Sequence, residues 1–266
     1  MRRGQLFWGV VLLLMGGLML ANAAGIRLPN GSSLMDLFWP LLLIGFGVGV
    51  LLGAFLRSSI DTESAKVSLE GAREAKVNIN HGAGELKIHS GASGNELVHG
   101  SFGGGLKQKS SLSGDQLNVR MEPANEFMNN FPFFGIHDRL DWEVSFNASV
   151  PTAFELNLGA NKSSLDLFDM NVTELKLKSG ASDTDVTLPS RGRLKADFEI
   201  GAASLTLVIP EGVSARIRSE IGAGDIHVDS SRFPRQNGAY QSSDFESASN
   251  AVDIFVRGGA CSVKIK

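Results

Sequence analysis

Two carboxylates occupy matched places in this chain and invite a chemical reading. Glu85 lies three residues after the glycine of His81-Gly82-Ala83-Gly84-Glu85, and Asp225 lies three after the glycine of Gly222-Ala223-Gly224-Asp225. A pair of carboxylates across a groove can do acid/base work on a glycosidic bond. The matching places elsewhere hold Lys162, Asp183, Ser204 and Ser262, so no continuous acidic groove is expected. The five histidines are His81, His89, His99, His137 and His227. His89 and His227 follow or flank aliphatic residues in alternating runs, which points them outward and away from a ligand role. Gly103-Gly104-Gly105 precedes Leu106-Lys107. No Ser/Thr pattern or helix follows to cradle a phosphate, so it reads as a turn. No nucleophile elbow and no Cys/His metal spacing occur. The expectation is a non-enzymatic protein without cofactor or metal. Asn147-Ala148-Ser149, Asn161-Lys162-Ser163 and Asn171-Val172-Thr173 match the glycosylation pattern and would be inert in a cytoplasmic domain.

The elements that must position these residues come from a repeat. Gly159-Ala160, Gly180-Ala181, Gly201-Ala202 and Gly222-Ala223 recur at steps of 21 residues. A period near 20 marks a solenoid of stacked coils. Each unit reads as two strands and two turns. Leu165 and Leu167, Val186 and Leu188, then Leu205, Leu207 and Ile209 alternate with polar residues after the Gly-Ala step. Asp169-Met170-Asn171, Pro189-Ser190-Arg191-Gly192 and Pro210-Glu211-Gly212 supply turns. A second run follows: Leu175 and Leu177; Leu194, Ala196, Phe198 and Ile200; Ala215, Ile217 and Ile221. The glycine either takes positive φ or lets the chain corner tightly on the coil below. Copies at Gly82-Ala83 and Gly259-Ala260 lie out of phase, and the period lapses over 89–158 and 229–258.

The first 60 residues have a different character. Leu6 to Ala24 and Leu37 to Leu56 carry no charge, over 19 and 20 residues. At about 1.5 Å per residue each is the length of a bilayer core. The reading is a transmembrane hairpin over 1–60, with helices near 6–24 and 37–56. Gly45, Gly49 and Gly53 fall four apart and would pack on one helix face. A cleaved signal peptide ending at Ala21-Asn22-Ala23 is the rival reading of the first segment. Arg2, Arg3 and Arg57 flank the hairpin, which by the positive-inside rule puts the N-terminus and the C-terminal domain in the cytoplasm of a multi-pass protein of the bacterial membrane. The single Cys261 permits no internal disulfide.

The first 57 residues contain four basic side chains and one acidic. Residues 58–266 therefore carry 21 Lys plus Arg against 27 Asp plus Glu, a net charge of −6. That charge repels nucleic acid. The segment Phe127-Met128-Asn129-Asn130-Phe131-Pro132-Phe133-Phe134 lies in an irregular loop over 123–140. Phe127, Phe131, Phe133 and Phe134 would either dock a partner or fold back and cap the open end of the stack. The fold expected is all-β: a β-solenoid of about 21 residues per coil over 61–266, with an insertion at 229–258, preceded by the helical hairpin.

The uncharged hairpin, the stretch from Val208 to Val228 containing Pro210-Glu211-Gly212 and Gly222-Ala223-Gly224-Asp225, and the terminal Gly258-Gly259-Ala260-Cys261-Ser262-Val263-Lys264-Ile265 together resemble LiaF-like bacterial membrane proteins. Those proteins have a toast-rack β-solenoid domain. The resemblance implies a regulator of the cell-envelope stress response that binds a membrane sensor kinase of a two-component system. It carries no catalytic residues. The alternative is a structural solenoid that self-assembles edge to edge as a homo-oligomer.

Overall fold

The computed structural model describes residues 3–25, 38–40, 42–44, 47, 62–124, 140–236 and 238–266. The chain divides into two units, Met1–Ser59 with Asn125–Asp138, and Ile60–Ala124 with Arg139–Lys266.

In the first unit, helix α1 spans Arg3–Ala23. It closes with Ala24 N–H donating to Leu20 O at 2.9 Å and Gly25, at positive φ, donating to Asn22 O at 3.1 Å. Arg3 and Gln5 occupy its first turn and Asn22 its last, so the uninterrupted apolar helix runs from Leu6 to Ala21. That is about 24 Å, short of the roughly 30 Å of a bilayer core. Among the described residues no helix is both long and apolar enough to cross a membrane. The expected two-helix transmembrane hairpin, and with it the multi-pass membrane localisation, is corrected on this finding. Gly45, Gly49 and Gly53 lie outside the described residues, as do Phe127, Phe131, Phe133 and Phe134.

The second unit is built from fifteen strands: β1 Thr62–Ser68, β2 Glu74–Ala92, β3 Glu96–Gly103, β4 Leu106–Ser113, β5 Gln116–Pro123, β6 Trp142–Asn147, β7 Thr152–Asp166, β8 Val172–Ser179, β9 Asp183–Thr187, β10 Arg193–Ile200, β11 Ser204–Val208, β12 Ser214–Val228, β13 Arg235–Gln236, β14 Ala239–Gln241 and β15 Ala251–Ile265. Each coil has two arms that meet at the Gly-Ala step. β2, β7, β12 and β15 run through both arms, and β8/β9 and β10/β11 do so with a break at the step. The first arms stack in parallel as β5, β2, β7, β8, β10, β15, β12. The second arms stack as β6, β2, β7, β9, β11, β15, β12. The two strands and two turns per coil read from the repeat are thus present. The order is not sequential, however. The C-terminal strand β15 inserts between the coil of β10/β11 and that of β12.

The parallel register aligns like with like. On the inner side of the first arm Ile79, Leu156, Leu177, Phe198 and Val256 form one ladder, and Val77, Phe154, Leu175, Ala196, Ile254 and Ile217 another. Ile88, Leu165, Val186, Leu207 and Ile265 form a ladder on the second arm. All of these are buried. Each large aliphatic or aromatic side chain so buried contributes about 1.5–3 kcal/mol.

The Gly-Ala step is where the stack is tightest. Neighbouring glycines along the corner are Gly82, Gly159, Gly180, Gly201, Gly259 and Gly222. A Cβ at Gly159 would overlap the carbonyl oxygen of Gly82, and one at Gly201 would lie 2.7 Å from Gly180 O. At Gly180 and Gly259 the nearest carbonyl oxygen would be at 3.3 Å, and at Gly222 it would be at 3.6 Å. Close backbone approach, rather than positive φ, therefore excludes a side chain at Gly159 and Gly201. Gly159→Ala and Gly201→Ala should each cost about 1–3 kcal/mol as overpacking. Gly222→Ala at the outer coil should stay within about 0.5 kcal/mol. Urea melts of the three variants check that order; equal losses at all three would contradict it.

Candidate functional site

The absence of side chains along the corner leaves a furrow, an open groove of about 830 Å³ lined by Gly159, Gly180, Gly201, Gly258 and Gly259 together with Asn157, Lys178, Glu199, Glu220 and Arg257. These polar residues form one row across the first arms: Asn80, Asn157, Lys178, Glu199, Arg257, Glu220. Asn157 Nδ2 donates to Asn80 Oδ1 at 2.9 Å, and Asn80 Nδ2 donates to Glu122 Oε1 at 3.1 Å. Lys178 Nζ and Arg257 Nη2 each reach Glu199 at 2.9 Å. The hydrogen bond from Lys178 holds the Glu199 carboxyl below the usual carboxylate range. Opposite charges on adjacent strands stabilise a sheet modestly, here in water and worth well under 1 kcal/mol per pair.

A second polar cluster fastens the segment after β12. Arg216 Nη2 lies 2.5 Å and Arg218 Nη2 3.0 Å from Asp253. Burial raises the Asp253 pKa, but the hydrogen bonds from the two arginines outweigh it and the carboxyl titrates below its ordinary value. Arg216 also stacks on the Phe245 ring at 4.5 Å. Ser214 Oγ donates to Asp244 Oδ1 at 2.8 Å, and Ala215 N–H donates to Ser242 Oγ at 3.0 Å. The first arm of β12 is thereby covered by β13, β14 and the turn around Phe245.

Glu85 and Asp225 do share a row, on the second arms: Glu85, Lys162, Asp183, Ser204, Ser262, Asp225. They stand five strand spacings apart, roughly 24 Å. Paired carboxylates in glycosidases are at most about 9.5 Å apart, so these two cannot act on one bond. Glu85 instead pairs with Lys87 at 3.4 Å. His227 is exposed, and His89 lies 3.6 Å from Glu143. Among the described residues no group of three or more His, Cys, Asp or Glu is placed to hold a metal. Cys261 is buried, and burial pushes its thiol pKa up, which leaves it a poor nucleophile.

His81 is the residue whose role sequence reasoning missed. It is buried just before the Gly82 corner. Its register partners are Leu158, Ser179 and Ile200, all inward, and that parity was the available signal. Nε2–H donates to Leu140 O at 2.7 Å, Asn161 Nδ2 donates to Nδ1 at 3.3 Å, and the ring lies 5.2 Å from Trp142. With one ring nitrogen donating and the other accepting, the imidazole is neutral. Glu85 N–H donates to Asp141 Oδ1 at 3.2 Å, and Gly103 N–H to Asp141 O at 3.0 Å. These bonds anchor the chain where it re-enters the stack, ahead of β6, in the end coil that lacks a Gly-Ala step.

The family model for the N-terminal domain of toast_rack, DUF2154, matches residues 57–208. The chain belongs to the toast-rack family. This toast-rack chain is also similar to the crystal structure of a candidate cell adhesion protein from Clostridium sporogenes, with a TM-score of 0.66 and 22% identity over 78% of this chain and 99% of that one. That likeness is one of fold. A candidate adhesin from Bacteroides fragilis aligns over 78% of this chain and 98% of its own with 6% identity, but its TM-score of 0.33 carries no argument. Among curated proteins none matches.

Burial lowers the His81 pKa, against the opposing hydrogen bond to Leu140 and the charge of Asp141. Its unfolded value is about 6.5. Below that pH the unfolded chain takes up a proton that the folded toast-rack refuses, so stability falls as pH drops from about 6.5 towards the folded pKa. Thermal melts at pH 7.5 and 5.5 should show this loss in the wild type and a smaller one in His81→Gln. An equal loss in both proteins would contradict the assignment.

Proposed function

We propose that this toast-rack chain is a non-enzymatic regulator that binds another protein through the outer face of its first arms, and that the partner is a sensor kinase of a bacterial envelope-stress two-component system. The observation that carries the binding part is the row Lys178, Glu199, Arg257, Glu220 beside the glycine furrow. It runs from coil to coil as an exposed line of alternating charge along an open groove. Such a line complements an extended macromolecular surface with matching charges and gives specificity more than raw affinity. It does not converge on a single reacting atom. The kinase comes from the resemblance to LiaF-like proteins, of which the toast-rack stretches Val208–Val228 and Gly258–Ile265 are the part that remains once the hairpin is set aside. The fold likeness to a candidate cell adhesion protein agrees with contact between macromolecules as a use of this stack.

Deleting the gene should change the output of an envelope-stress reporter in its basal or antibiotic-induced state; unchanged output in both would sink the kinase reading. Lys178→Glu with Arg257→Glu should reproduce the deletion phenotype. Both side chains are about half exposed, so the double variant should lose no more than about 1–2 kcal/mol of stability. A folded double variant with wild-type output would remove this face from the account.

A further inference from the structure

Among the described residues the second arm of β12, Gly222–Val228, pairs with β15 on one side only. Its first arm is capped by β14 on the outer side. The other described edges are blunted. β1 carries Lys66, β4 carries Lys107 and Lys109, and β13 is two residues long. Lysines and short strands are how edges resist pairing. Residues 222–228 contain no Lys, Arg or Pro, and they end the aliphatic ladders with Ile226 and Val228 only half-buried. Asp229 N–H donates inward to Ile265 O at 3.1 Å. By alternation the N–H and C=O groups of Gly224, Ile226 and Val228 point outward.

We propose that this edge pairs antiparallel with the same edge of a second copy, closing a two-fold dimer. The strand's own residues select the register. With Ile226 opposite Ile226, Gly224 faces Val228 as a hydrogen-bonded pair. Asp225 then faces His227 twice, in the non-hydrogen-bonded places where side chains approach most closely. Shifting the centre one residue either way sets Asp225 against Asp225, or His227 against His227 and Asp225 against Asp229. The dimer adds about six backbone hydrogen bonds and carries the Ile226 and Val228 ladders into the second copy. A two-fold contact is isologous and closes at two copies, unlike an open end-to-end stack. The inference is independent of the kinase reading.

The test uses the full chain. Sedimentation should give twice the chain mass at high concentration. His227→Asp should shift the protein to monomer, and Asp225→His combined with His227→Asp should restore the dimer. Ile226→Pro removes an outward donor without touching a β15 bond and should also give folded monomer. Under oxidation, an equimolar mixture of Asp225→Cys and His227→Cys chains should cross-link, and neither variant should cross-link alone; the native Cys261 is buried and does not interfere. A monomer at every concentration, a mass that grows without limit, or cross-linking of either variant by itself would overturn the proposal.

Discussion

Backbone packed directly on backbone at the Gly-Ala corner is the contact on which this molecule depends. There one coil's carbonyl oxygen occupies the space where the next coil's Cβ would stand. The contact is hardest at Gly159 and Gly201, and there the rows on either side cannot slip. The aliphatic side chains inside then stack as ladders, and the charged side chains outside line up as rows. A one-residue slip in any strand would exchange these two sets. The furrow proposed as a binding surface is the outward consequence of the same missing side chains.

A stack must also end, and the two ends do so differently. At one end β5 and β6 form a coil without a Gly-Ala corner. The antiparallel strands β1, β3 and β4 cover it, and His81 anchors its re-entry through Leu140. At the other end the segment after β12 folds over one arm, fixed by Arg216, Asp253 and Phe245, and among the described residues the second arm is left open. β15 enters between coils formed earlier in the chain. The stack is therefore incomplete until the last strand is in place, a non-local pairing of the kind that slows folding.

Much of this was legible in the residues because solenoid coils write their geometry into a period. The inward residues of the units from 159 to 217, from Leu165 through Ile217, follow from the alternation, since alternation and burial are the same fact in a strand. The position of β15 was not legible. Its Gly259-Ala260 step matches those of its neighbours equally well, and the choice between stacking on Gly222 and inserting beside Gly201 lies in tertiary packing. Glu85 and Asp225 looked like a pair because their local motifs match. Identical places in a solenoid, however, mean separation along the stack by whole coils. The N-terminal segment lacks charge, but Gln5 and Asn22 bound its apolar helix, and that length is not visible in a count of charges.

The stacking order is tested most directly at β15, which is held between the coil of β10/β11 and that of β12. Residue-resolved hydrogen exchange of the intact chain measures this. Amides of β15 are paired on both sides, to β10 and β11 and to β12. They should exchange only through global unfolding, more slowly than those of β13 and β14. Amides of β15 exchanging as fast as those edge strands would contradict the stacking order and everything built on it.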